Sequence, residues 1–331
     1  MIDEVLLSNE MEGVRSTRKE IRDVLDGEKD ENKKKRFAGM VLKYLLLLDN
    51  QTYKVSLNSS RDIRTLYDEI VLDEIEKDKW PDGKIFRKDE AWVISATQQV
   101  KHVGLVPEEK IIRYMDSTLS LFKDDSVPMI CKIAILHYMI GYVHPFYDGN
   151  GRLSRFISSC FLKEEFNSLV ALRLSYTIKD NKSDYYKAFD IANDVHNRGD
   201  LTPFILYFIG VIEKSIDSLI ERLADGNEKL NYYAKLLNEK YKNIDAKEQK
   251  KTSDVLWLLI QNKLFAKEPF DRKTLEKELG VNGETAHRYV EGLVAVGAPI
   301  IITKNGRKFV YELDIKELPA FLESQMVKCE R

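Results

Sequence analysis

The sequence predicts a mostly helical protein whose residues 251–331 form a separate winged helix–turn–helix. Three observations carry that expectation. Apolar residues recur at spacings of three and four through most of the first 224 positions. A single internal stretch, 86–103, lacks that spacing. Near the C-terminus, three helical signals are followed by two strand signals around an Asn-Gly pair. In order, helices are expected over 14–26, 34–49, 61–78, 108–123, 127–143, 150–165, 183–197 and 202–224. Pro128 and Pro203 stand near the starts of theirs, where a missing N–H is tolerated. The run Trp92-Val93-Ile94, followed after polar residues by Val100 and Val103, reads as a small hairpin. Asp225-Gly226-Asn227 breaks the helical pattern, and the Lys- and Glu-rich stretch that follows reads as an exposed helix or linker. Beyond it come helices over 253–262, 271–279 (stopped by Gly280) and 284–296, then strands over 299–303 and 308–313 joined at Lys304-Asn305-Gly306-Arg307. The expected division is 1–80, 81–225, 226–250 and 251–331.

Composition excludes several classes. A net charge of −2 gives the chain no broad field for nucleic acid or an anionic membrane. Cys131, Cys160 and Cys329 are too few and too scattered for a disulfide framework or a zinc site, and they suit a reducing cytoplasm. Residues 1–13 are acidic and carry neither the basic nor the apolar part of a signal peptide. No apolar run approaches the roughly 18–20 residues that span a bilayer. A soluble cytoplasmic protein is expected. His102, His137, His196 and His287 show no metal-ligand spacing, and His137 reads as a core residue.

One segment carries chemistry: His144-Pro145-Phe146-Tyr147-Asp148-Gly149-Asn150-Gly151-Arg152, with Arg155 after it. It joins an apolar helix to the start of another. Gly149 and Gly151 have no side chains, so backbone N–H groups can approach a phosphate closely, and the helix that follows adds the positive end of its dipole. Asp148 is a hard oxygen ligand suited to Mg²⁺. Arg152 and Arg155, three apart, share one helical face and can reach one polyphosphate. His144 can take a proton from a hydroxyl near neutral pH.

This segment matches every specified position of H-P-F-x-D-G-N-G-R-x-x-R and so resembles the Fic family signature. The resemblance extends over roughly residues 1–215. It implies a Fic-type helical domain with a β-hairpin flap, and transfer of AMP from ATP to a Ser, Thr or Tyr hydroxyl of a target protein. Carried over by position, His144 would be the general base and Phe146 would anchor the loop. Asp148 would hold Mg²⁺. Gly149, Asn150 and Gly151 would form the anion-binding turn, Arg152 would bind the distal phosphates, and Arg155 would meet the γ-phosphate or an inhibitory glutamate. Ser8-Asn9-Glu10-Met11-Glu12-Gly13 is similar to the family's inhibitory motif [ST]-x-x-x-E-[GN], with Glu12 expected on Arg155. By position, Val93 and Ile94 would clamp a target segment on the flap. Tyr185 or Tyr186 would line the adenine pocket, and Asn193 would hydrogen-bond there.

Within residues 245–331, 15 Lys and Arg face 14 Asp and Glu, so the C-terminal module lacks a basic footprint. DNA binding is the less favoured reading of it, behind target recruitment, self-association as a homodimer or a purely structural role. The expected function is an autoinhibited protein adenylyltransferase using ATP and Mg²⁺ on a protein substrate, with self-modification open to it. The alternatives are removal of AMP from a modified target, or a DNA-binding regulator that uses its Fic domain to sense nucleotide.

Overall fold

A computed structural model describes residues 1–25, 27, 36–48, 54–94, 100–242, 244–266, 268–305 and 308–324. Sixteen helices are found among them: α1 Ile2–Met11, α2 Arg18–Leu25, α3 Ala38–Leu48, α4 Ser60–Ile70, α5 Glu108–Ser120, α6 Met129–Val143, α7 Asn150–Glu165, α8 Ser168–Ala171, α9 Leu174–Asp180, α10 Lys182–Asn193, α11 Thr202–Tyr241, α12 Ala246–Lys251, α13 Ser253–Phe265, α14 Arg272–Leu279, α15 Gly283–Ala295 and α16 Leu318–Ser324. The strands are few and short: β1 Trp92–Ile94, β2 Val100–Val103, β3 Phe270–Asp271, β4 Ile300–Asn305 and β5 Lys308–Leu313. The protein is mostly helical, as the periodicity predicts. No helix among the described residues is long and apolar enough to cross a membrane.

The chain divides once, into Met1–Leu219 and Ile220–Arg331. In the first unit α6 and α7 pack against each other at the centre. One apolar cluster, with Tyr44, Tyr67, Phe86, Phe146 and Phe156, is contributed mainly by α3, α4 and α7. A second, with Tyr138, Phe204 and Phe208, lies under α9, α10 and the start of α11. Burial of these side chains is the main term holding the unit together, at about 1.5–3 kcal/mol for each large one. β1 and β2 form an antiparallel hairpin in which Trp92 faces Val103 and Val93 faces His102.

The second unit orders α13, β3, α14 and α15 ahead of β4 and β5, in a sheet of order β3-β5-β4. Asp271 caps α14 by accepting from Thr274 N–H at 2.7 Å, and Asn282 caps α15 through Thr285 N–H at 2.8 Å. Gly280 ends α14 in the left-handed region, as its sequence position predicts. Gly306 and Arg307 of the expected turn, and Cys329, lie outside the described residues.

Three local expectations need correction. The helix expected over 61–78 stops at Ile70, and two 3-10 turns, Leu72–Glu74 and Lys77–Lys79, follow. Ile70, Val71 and Ile75 all enter the core. The break expected at Asp225-Gly226-Asn227 is absent, because α11 runs through it to Tyr241. Gly226 is there for packing: a Cβ on it would sit 2.4 Å from the Phe265 ring. The short helices α8 and α9 have no counterpart among the expected elements.

Candidate active site

The loop between α6 and α7 is built from both ends. At its base Phe146 is fully buried, stacked on Tyr67 with ring centroids 3.6 Å apart and edge-on to Phe86 at 5.4 Å. The Tyr67 hydroxyl donates to the Asp148 carbonyl at 3.1 Å. Asn150 is buried and closes the loop on itself. Its Oδ1 accepts from Phe146 N–H at 3.0 Å, and its Nδ2 donates to Phe146 O at 2.8 Å. Its side chain therefore shapes the turn, while its backbone N–H opens α7. Gly149 has φ +82°, and a Cβ there would also press on Tyr67 and Val71 at 3.2 Å.

His144 ends α6 in the left-handed region, φ 52°, a conformation that costs a non-glycine residue about 1–2 kcal/mol. The surroundings hold it there. Arg87 donates to its carbonyl at 2.7 Å, and Leu105 N–H donates to Val143 O at 3.1 Å. The imidazole Nδ1 lies 3.4 Å from the Gly141 carbonyl. With the proton assigned to Nδ1, Nε2 carries the free lone pair. Burial, with the Arg87 guanidinium second, pushes this imidazole down to about 4. At neutral pH the ring is uncharged and able to accept a proton.

The first turn of α7 leaves N–H groups without intrahelical acceptors, and Gly151 lets an anion come close. A Cβ at Gly151 would sit 2.1 Å from Glu12 Oε1, so the Glu12 carboxylate lies directly on this glycine. Glu12 follows α1 and pairs with Arg155 at 2.8 Å. Ser8 completes the contact: its Oγ accepts from Arg155 Nε at 3.0 Å and its carbonyl from Nη2 at 2.8 Å. Arg152, equally buried, pairs with Glu74 at 2.8 Å. Burial raises the Glu74 carboxyl to about 7, with Arg152 opposing. Asp148 Oδ1 accepts from Gly149 N–H at 2.6 Å, and the side chain stays half-exposed. Among the described residues no group of three or more potential ligands could hold a metal unaided. One carboxylate beside an anion cradle suits a hard cation that completes its shell with phosphate and water, which is the habit of Mg²⁺.

The remaining sequence candidates separate. Tyr185 is buried, with its hydroxyl 2.8 Å from His137 Nε2, and packs as core. Tyr186 is 42% exposed, and burial together with the Glu12 carboxylate raises its phenol. Asn193 Oδ1 accepts from the Tyr138 hydroxyl at 2.6 Å. On the flap Val93 is half-buried, and the side chain of Ile94 lies outside the described residues. Trp92, Val100 and Val103 are the exposed apolar groups of the hairpin. Sequence reasoning missed Arg87, Glu74 and Tyr67. They contact it from 57 to 81 positions away, and no spacing within a single sequence links them to the loop.

With this geometry in place, comparison with known proteins is specific. The Fic/DOC family profile matches residues 57–162. The protein adenylyltransferase Fic of Drosophila grimshawi is 26% identical over 211 residues, covering 62% of this chain and 39% of that one. Its namesake from Nematostella vectensis is 33% identical over 122 residues, 36% of this chain and 26% of that one. The chain thus spans less than two-fifths of these relatives' length. Among solved structures, a Fic family protein from Desulfovibrio desulfuricans G20 superposes with a TM-score of 0.54 at 17% identity, over 95% of this chain and 86% of that one, a likeness of fold.

Proposed function

Because residues 57–162 match the Fic/DOC family profile, we propose that this protein is an autoinhibited protein adenylyltransferase of the cytoplasm. It transfers AMP from ATP to a hydroxyl of a protein target. The observation that carries the reading is a neutral His144 beside a glycine-opened helix start, with Arg155 already held by a carboxylate.

In the reaction the acceptor oxygen bonds to the α-phosphorus, the bond from that phosphorus to the bridging oxygen breaks, and pyrophosphate leaves with the electron pair. The acceptor's proton goes to His144 Nε2. Most of the barrier is lowered by alignment and charge neutralisation, which the backbone N–H groups at 149–151 and the guanidinium of Arg152 provide. Asp148 is the residue that would hold Mg²⁺, which when bound neutralises phosphate charge. Tyr186 and Asn193 are the candidates to meet the adenosine, and the exposed face of the hairpin is the candidate to hold an extended target segment. Glu12 acts as the brake. It occupies Arg155 and places negative charge against Gly151, where a phosphate oxygen would lie.

The second unit, with its helices and hairpin in the order of a winged helix, is proposed to recruit targets or a second copy. Its helix α15 sets Glu284 and Glu291 beside Arg288, a poor surface for phosphate backbones.

The test is transfer of label from ATP marked at the α-phosphate, in lysate and with the protein alone. Wild type should label weakly. Glu12→Gly should label at least tenfold more, and adding His144→Ala to it should abolish labelling while retaining ATP. Equal labelling by wild type and Glu12→Gly would end the brake hypothesis, and no labelling by either would end the transferase reading.

A further inference from the structure

Arg87 lies between α4 and the flap, well outside the loop that carries His144. It is fully buried. Among the described residues, the acceptors of its guanidinium are all main-chain carbonyls: His144 O at 2.7 Å from Nε, Leu105 O at 3.0 Å and Val143 O at 3.3 Å from Nη2, and Asp89 O from Nη1. Its own N–H donates to Pro145 O at 3.2 Å. A buried cation without a carboxylate partner needs another reason to be there.

We infer that Arg87 is a positioning residue for His144, clamping the backbone that carries the imidazole to both ends of the flap hairpin. The inference rests on the proposed role of His144 as the base. Arg87 precedes β1, and Leu105 follows β2. One planar fork therefore ties the two ends of the flap to the last carbonyls of α6. Those carbonyls are the groups a helix leaves unsatisfied, and a cation is favoured at that end of the helix dipole. Arginine can do this because its donors point in several fixed directions within one plane, whereas lysine presents a single ammonium. Gly104 makes the approach possible. A Cβ there would lie 2.2 Å from Arg87 Nη2 and 2.9 Å from His144 Cβ.

The clamp has an electrostatic side as well. The charged or titratable groups whose fields reach His144 are Arg87 ahead of the flap, Glu12 after α1 and His102 on β2. Arg87 and His102 oppose protonation, and Glu12 favours it. Arg87 thus holds the ring in place and keeps it neutral.

Two readouts test this on the full chain carrying Glu12→Gly. The first is kcat and KM for ATP in labelled transfer. The second is the NMR titration of His144, identified by the signal lost in His144→Ala, measured without substrate. Arg87→Lys should lower kcat at least tenfold with KM for ATP changed less than about twofold. Arg87→Gln should do the same and also raise the pH at which His144 titrates. If Arg87→Gln does not fold, Arg87→Lys carries the expectation for kcat and KM. A folded variant with unchanged kcat and unchanged His144 titration overturns the inference. Absence of transfer in the Glu12→Gly parent would defeat the proposed function instead, and the titration would still decide the role of Arg87.

Discussion

Arg152 and Arg155 share one face of α7, yet different carboxylates hold them for different reasons. Glu12 keeps 26% of its side chain exposed and sits on a short N-terminal segment, whereas the Glu74 side chain is only 6% exposed. Glu74 is therefore a permanent neighbour of Arg152, and its charge competes with phosphate for that guanidinium. Among the described residues Arg152 Nε is buried without a hydrogen-bond partner, a donor still available on the same fork. Because burial raises the Glu74 carboxyl to about 7, the competition grows as pH rises through neutrality. In the Glu12→Gly background, Glu74→Gln should bind ATP about as tightly as its parent at pH 6. At pH 8 it should bind roughly fivefold tighter, ~1 kcal/mol. Calorimetric titration at pH 6, 7 and 8 measures the gap, and a gap that does not widen with pH contradicts the assignment.

At the scale of elements, α1 stands out by what it buries. Three of its five buried side chains, Glu4, Ser8 and Asn9, are polar. Glu4 accepts from Ser175 N–H at 2.9 Å, but among the described residues both amide atoms of Asn9 are buried without partners. An unsatisfied buried amide costs about 1–3 kcal/mol, so the helix that delivers Glu12 is docked less firmly than its burial suggests. Asn9→Ala removes that cost and improves helix propensity, and it should slow hydrogen exchange in residues 2–11 about fivefold or more. Faster exchange would mean that the amide has a partner in solution. The same polar seam explains why α1 carries no apolar periodicity and entered the sequence reading only through its likeness to an inhibitory motif. The long amphipathic helices were legible because each buries one apolar stripe. The 144–155 loop was legible because its residues are contiguous. Arg87, Glu74 and Tyr67 reach the site only through the fold. Gly226 misled because one residue type serves both to break a helix and to admit a neighbouring ring, and the sequence does not say which.

For the whole molecule, the buried titratable groups set a stability profile with two opposing parts. Burial lowers His137 to about 3 and His144 to about 4, while unfolded histidine titrates near 6.5. Between those values the unfolded chain binds protons that the folded chain refuses. These histidines therefore lend stability that is complete above about pH 6.5 and drains away as pH falls toward 3–4. Glu74 works in the other direction. Its folded value of about 7 lies above its ordinary 4.5, so its contribution is complete below 4.5 and is lost as pH rises to 7. The two windows overlap between 4.5 and 6.5, where the single carboxyl offsets about half of what the two histidines lose, and below 4.5 the full histidine loss continues. Thermal unfolding of the wild type should accordingly shift down gently as pH falls from about 6.5 to 4.5 and about twice as steeply just below that. Glu74→Gln removes the offset, so its midpoint should fall about twice as steeply as that of the wild type between pH 6.5 and 4.5. Adding His137→Gln should flatten that fall, at the cost of a lower midpoint at pH 7, since the Tyr185 hydroxyl loses its 2.8 Å partner. Identical profiles for wild type and Glu74→Gln between pH 5 and 7 would show that this carboxyl titrates in its ordinary range, and the pH-dependent competition for Arg152 would fall with it.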